Sequence, residues 1–134
     1  MSPVTVPYHL VIPAAFCAVC LAMIVVGRRR LFGRRRGRRW LWISIVVFLS
    51  VYLLIVGSAA VEDVYAQWDL NRYDLDGDGF FGGAELTKQQ AEAMARLVND
   101  VGRNFSVITG LLFSFVVSVT VYSIAVIGEK VTKG

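Results

Sequence analysis

The sequence predicts an all-α chain: three transmembrane helices, with a helix-loop-helix segment between the second and the third. Three observations carry that reading. Hydrophobic residues make up 56% of the chain and its mean hydropathy is +0.59, above what a soluble domain of this length carries. Three apolar runs, Pro7 to Gly27, Trp40 to Ala60 and Phe105 to Ile127, contain no Asp, Glu, Lys or Arg. About 20 such residues, rising 1.5 Å each, cross a hydrocarbon layer of ~30 Å. Between the second and third runs, apolar residues recur at helical spacing on both sides of a polar loop.

The first run, residues 7–27, lacks a basic stretch before it and is longer than the apolar region of a secretory signal. It is therefore expected to be a retained span, with Pro13 a kink that neighbouring helices accommodate. Cys17 and Cys20 inside it form C-x-x-C, but without a βαβ context or further cysteines they read as small buried thiols. His9, the only histidine, reads as a polar anchor near the membrane surface.

Residues 28–39, GRRRLFGRRRGRR with its leading Gly27, hold eight arginines at 28, 29, 30, 34, 35, 36, 38 and 39 and no acid. A short loop this basic stays in the cytoplasm. Residues 40–60 form the second span, with Trp40 and Trp42 in an interfacial belt. The arginines can also attract anionic lipid headgroups. Nucleic acid is not expected as a partner, because no recognition fold accompanies the block.

Residues 61–104 carry nine acidic and four basic side chains. Three spans place this segment and the N-terminus outside a cell membrane, and the 128–134 tail, with Lys130 and Lys133 against Glu129, in the cytoplasm. Val61, Val64, Tyr65 and Trp68 predict a helix entering the loop, continuous with the second span. Leu86, Ala91, Met94, Leu97, Val98 and Val101 predict one leaving it, with Thr87 and Gln90 as a capping box. The exiting helix reaches the third span through NDVGRN, with Gly102 the expected point of slack.

The stretch between these helices, residues 74–85, reads DLDGDGFFGGAE and satisfies D-x-D-x-D-G-x5-E in full: Asp74, Asp76, Asp78, Gly79 and Glu85 stand at positions 1, 3, 5, 6 and 12. It resembles the EF-hand calcium loop of the calmodulin superfamily, over about a quarter of the chain. The resemblance implies one Ca2+ held by Asp74, Asp76 and Asp78, the backbone carbonyl of Phe80 and both oxygens of Glu85. The chemistry agrees with the spacing, since a hard cation takes six to eight oxygens and alternate aspartates of a curled loop can each point one inward. Two departures weaken the site: Gly82 at position 9 supplies no side chain, and Phe81 at position 8 has no second loop in this sequence to pair with.

In the third span, residues 105–127, Ser106, Gly110, Ser114 and Ser118 form a stripe of small side chains, and Ala14, Ala18 and Ala22 form a shorter one in the first. Such stripes let helices approach closely, either within one chain or in a homo-oligomer. No nucleophile-histidine-acid set and no zinc-protease motif is present, so no enzymatic activity is expected. The expected function is that of an extracytoplasmic calcium sensor or regulatory subunit of a larger membrane complex. A calcium-gated homo-oligomeric channel and a purely structural calcium remain as alternatives.

Overall fold

The computed structural model describes residues 4–31 and 36–132. Four helices run in order: α1 (Tyr8–Leu31), α2 (Arg36–Asn71), α3 (Lys88–Val98) and α4 (Val101–Val131), with one turn of 3₁₀ helix at Gly83–Glu85 before α3. The all-α expectation holds, and α1, α2 and α4 are each long and apolar enough to cross a membrane.

Each of those three is apolar around most of its circumference, as a span must be. Leu54, Ile108, Leu112, Phe113, Phe115 and Val116 lie more than half exposed on their flanks. Apolar surface on this scale would drive association in water, whereas lipid covers it without cost. At 36 residues, α2 is about 54 Å long. Its apolar part therefore fills a bilayer while its last three turns stand clear of it.

The helices extend further into the arginine segment than the spans alone suggest. Arg28 to Leu31 complete α1, and Arg36 to Arg39 open α2, because arginine is a good helix former and nothing in the sequence stops the ladder. Of the loop expected over 28–39, residues 28–31 and 36–39 are therefore helical, and residues 32–35 lie outside the described residues. Likewise α4 continues past Ile127 to Val131, and α1 runs through Pro13 without interruption.

The central helix is α2, which packs against α1 on one side and α4 on the other, while α1 and α4 scarcely touch. Towards α1 the core is Leu10, Cys17 and Ile24, seven residues apart, against Leu49, Tyr52, Val56 and Ala59. The Tyr52 ring stacks on Phe48 with centroids 6.1 Å apart. Cys17 is buried and Cys20 half-buried in this seam, both as free thiols. His9 is exposed. The alanine stripe of α1 does not form the seam, since Ala18 and Ala22 are exposed. The larger side chains on the adjoining face fill the space beside Tyr52 and Val56 instead.

The stripe on α4 does pack inside the chain. Ser106, Gly110 and Ser114 are buried, and Ser118 donates its hydroxyl to the carbonyl of Ser44 at 2.8 Å. A Cβ on Gly110 would stand 3.0 Å from Ile55 Cγ2 and 3.6 Å from Tyr52 Cδ2. The missing side chain is what lets α2 and α4 close at this level.

Candidate metal centre

The acidic loop is built from the end of α2 outward. The last backbone bonds of the helix tighten, with Tyr73 N–H donating to Leu70 O at 3.0 Å and Asp74 N–H to Asn71 O at 3.4 Å. This carries Asp74 into the turn while leaving it 8% exposed. The chain then reverses twice at residues in the left-handed region, Gly77 (φ 78°) and Gly79 (φ 83°), and again at Gly83 (φ 53°). A residue with a Cβ adopts such angles only with strain. Gly79 was legible as the turn residue; Gly77 and Gly83 share its role.

The three aspartates curl round one point. Each offers a carboxylate oxygen, and these oxygens lie within 4.8 Å of one another. One oxygen of each is engaged by the backbone: Gly77 N–H donates to Asp74 Oδ1 (2.8 Å), Asp78 N–H to Asp76 Oδ1 (3.2 Å) and Phe80 N–H to Asp78 Oδ1 (2.7 Å). These bonds shape the loop and leave the second oxygens available. Asp74 Oδ2 is shielded from water and has no hydrogen-bond partner. Buried polar atoms are nearly always satisfied, so a bare carboxylate oxygen beside two other carboxylates leaves room for a cation.

Glu85 stands apart from that trio. It is buried, and its Oε1 accepts from Leu75 N–H (2.6 Å) and Asp76 N–H (3.3 Å), while its Oε2 accepts from Gly82 N–H (3.3 Å). One carboxylate thereby ties the first arm of the loop to the second. The side chain of Phe80 is exposed. Phe81 is half-buried, and Gly82 is extended and begins the 3₁₀ turn. As anticipated, the exiting helix starts anew after this turn, with Thr87 Oγ1 accepting from Gln90 N–H at 3.1 Å as its cap.

A second polar cluster lies where α2 meets α4, and it was not anticipated. Arg103, 5% exposed, sets its Nε 3.0 Å from Asp63 Oδ1. The contact is off the hydrogen-bond line, so it acts as an ion pair. The same guanidinium donates to Leu97 O at 2.6 Å and stands 3.8 Å from Asp100 Oδ2. The other oxygen of Asp63 accepts from Gln67 Nε2 at 2.7 Å. Gln67 in turn accepts from Thr5 N–H and its hydroxyl, and donates to Thr5 O at 3.0 Å. One network thus joins the segment before α1, the protruding part of α2, the end of α3 and the start of α4.

The break between α3 and α4 falls at Asn99 and Asp100, where Asp100 caps α4 by accepting from Arg103 N–H at 3.0 Å. Gly102 lies inside the first turn of α4 and so is not the point of slack. Asp69 on α2 adds a further tie to α3 through Arg96 at 3.8 Å.

The oxygens gathered in the loop are carboxylate oxygens, a donor type that suits a hard cation such as calcium or magnesium rather than zinc or copper. Comparison with family models, with curated proteins and with solved structures finds no match for this chain.

Proposed function

We propose that this is an integral membrane protein that binds one Ca2+ in residues 74–85 and uses it as an extracytoplasmic sensor or regulatory subunit. The observation that carries the proposal is Asp74 Oδ2, buried and unpartnered, within a trio of carboxylates whose oxygens lie within 4.8 Å. Three anions so close repel by about 1 kcal/mol per pair in water, and by several times that where the medium is less polar. A divalent cation turns that repulsion into attraction. Glu85, held by three backbone N–H groups, would have to exchange them for the ion to supply the twelfth-position ligand that the resemblance implies.

The affinity should be weak, in the ~10⁻⁴ to 10⁻³ M range of extracellular modules, because Gly82 contributes no side chain and Glu85 must first leave its amides. Calorimetry on the purified protein checks this. One site of that strength is expected in the parent and none in Asp74→Ala; calcium uptake that survives the substitution rejects the site.

Sidedness follows from charge. The eight arginines of residues 28–39 belong in the cytoplasm, which puts the acidic loop outside. In a chain with Cys17 and Cys20 replaced by alanine, a cysteine at exposed Gln89 on α3 should react with an impermeant thiol reagent on intact cells, and one at exposed Lys130 should not. The opposite pattern would make the loop a detector of cytoplasmic calcium.

The sensor reading is supported by continuity. The first ligand, Asp74, follows three residues after the end of a single helix that begins at Arg36. On the far side, α3 passes to α4 through two residues, and Arg103 ties the Leu97 carbonyl before them to Asp100 among them. Any rotation of α3 about the loop therefore bears on the Asp63–Arg103 pair, and through it on the packing of α2 against α4. The channel alternative draws no support from the serine stripe, which lies against α2 rather than along a lumen.

A further inference from the structure

We propose that the crevice between α1 and α2 at their arginine-bearing ends seats one acyl chain of an anionic phospholipid, whose headgroup is held by Arg28 and Arg38. The proposal rests on the membrane reading of the helices and is independent of calcium.

The crevice has a volume of about 490 Å³ and is lined by Cys20, Met23 and Ile24 of α1 and by Trp42, Ile45, Phe48 and Leu49 of α2. That volume falls in the ~300–1,000 Å³ range of ligand clefts, and every lining residue is apolar or a thiol. The α2 side runs over about 10 Å of helix. A slot of this kind fits a flexible alkyl chain and offers nothing to an ion or a polar solute.

Helix register shows which headgroup belongs above it. Residues four apart stand one above another on a helix face. On α1 the row Cys20, Ile24 continues to Arg28, and on α2 the row Leu49, Ile45, Trp42 continues back to Arg38. Both arginines are exposed, as is Arg39 beside them. The two walls of the crevice therefore end in guanidinium groups on the faces that line it, one turn beyond its apolar part. Basic pockets between spans on the cytoplasmic side recognise phosphate headgroups in this way, and a guanidinium suits phosphate oxygens better than an ammonium does. Trp42, on the wall, marks the depth: its indole belongs at the hydrocarbon boundary, and its N–H has no partner among the described residues.

General attraction of anionic lipid to eight arginines would enrich the whole surrounding shell. The crevice makes a different claim, that one lipid is selected at one place, and this can be separated by experiment. With Trp40→Phe and Trp68→Phe, Trp42 becomes the single tryptophan of the chain. In phosphatidylcholine bilayers, its fluorescence is titrated with bromine-labelled phosphatidylglycerol and, separately, with bromine-labelled phosphatidylcholine. Half-maximal quenching is expected at a roughly 25-fold lower mole fraction of phosphatidylglycerol, about fivefold from each arginine. Each of Arg28→Gln and Arg38→Gln should reduce that preference about fivefold, equivalent to the ~1 kcal/mol that a basic residue contributes near an anionic surface. Ile45→Phe, which fills the slot and leaves all arginines in place, should abolish it, while helical circular dichroism and calcium uptake remain those of the parent. Equal quenching by the two lipids in the parent overturns the proposal. So does a preference that survives either the paired arginine substitutions or the filled slot, which would leave only attraction to the general lipid shell.

Discussion

Replacing Arg103 with alanine is expected to destabilise the protein by about 3–5 kcal/mol. The guanidinium is 4% exposed and the Asp63 carboxylate 11% exposed. Removing one partner leaves the other charge buried and uncompensated, which is the costly case. Leu97 O also loses its donor, and Asp100 loses the cation that steadies the α3–α4 break. Unfolding followed in detergent micelles provides the measurement. Asp63→Leu combined with Arg103→Met should recover most of the loss, because a well-packed apolar pair of similar volume replaces a buried ion pair at little or no cost, and the double-mutant cycle gives the coupling directly. If Arg103→Ala unfolds like the parent, the pair is solvated in the protein and the network does not hold α4 to α2. The doubly substituted chain also separates stability from signalling: it should bind calcium normally and transmit it differently.

The spans were legible because each is a run of about twenty uncharged residues, and lipid imposes that composition regardless of tertiary detail. The clustering of Asp74, Asp76 and Asp78 was legible because alternate residues of a tightly curled loop point the same way, and the structure brings their oxygens within 4.8 Å. The Asp63–Arg103 pair was hidden in a charge count. Both residues read as ordinary members of a polar segment, yet each ends a row of buried positions that the structure shows. On α2, Tyr52, Val56 and Ala59 lead to Asp63; on α4, Gly110 and Ser106 lead back to Arg103. Continuing the two buried faces past the apolar run would have brought the charges together. What sequence could not provide was the choice between an α4 stripe used within the chain and one used between chains, because small residues permit close approach without naming the partner helix. In this chain the stripe packs against α2, with Ile55 over Gly110 and Ser118 bonded to Ser44. Glu85 was likewise assigned to the ion by its position in the pattern, while the fold shows it bonded to backbone amides, an alternative that no spacing rule contains.

Those amide bonds lead to the second expected result: Glu85→Gln should abolish the calcium response while changing stability by no more than about 1–2 kcal/mol. A glutamine oxygen still accepts from Leu75 and Asp76 N–H, and the single loss is the Gly82 contact, where an amide NH₂ would meet an N–H. Removing one negative charge from an acidic loop offsets part of that. For the proposed ion the change is severe, since an amide offers one weaker oxygen in place of the bidentate carboxylate that the resemblance implies. The response itself is read from two distances, in a chain whose native cysteines are alanine. Spin labels at exposed Glu62 and Glu92 report α3 against α2; labels at exposed Leu41 and Ile127 report the ends of α2 and α4 far from the loop. Sensor helices reorient by tens of degrees on binding calcium, and 30° carries the end of an 11-residue helix such as α3 about 8 Å. The first pair should therefore shift by several ångströms on adding calcium to the parent, and not at all in Glu85→Gln. The second pair should shift by less, and in Asp63→Leu/Arg103→Met it should stop following the first, because the ion pair is the link between them. Movement of the first pair alone in the parent would confine the signal to a partner outside the membrane. No movement of either pair would make calcium a staple that closes the loop, and the sensor reading would fall.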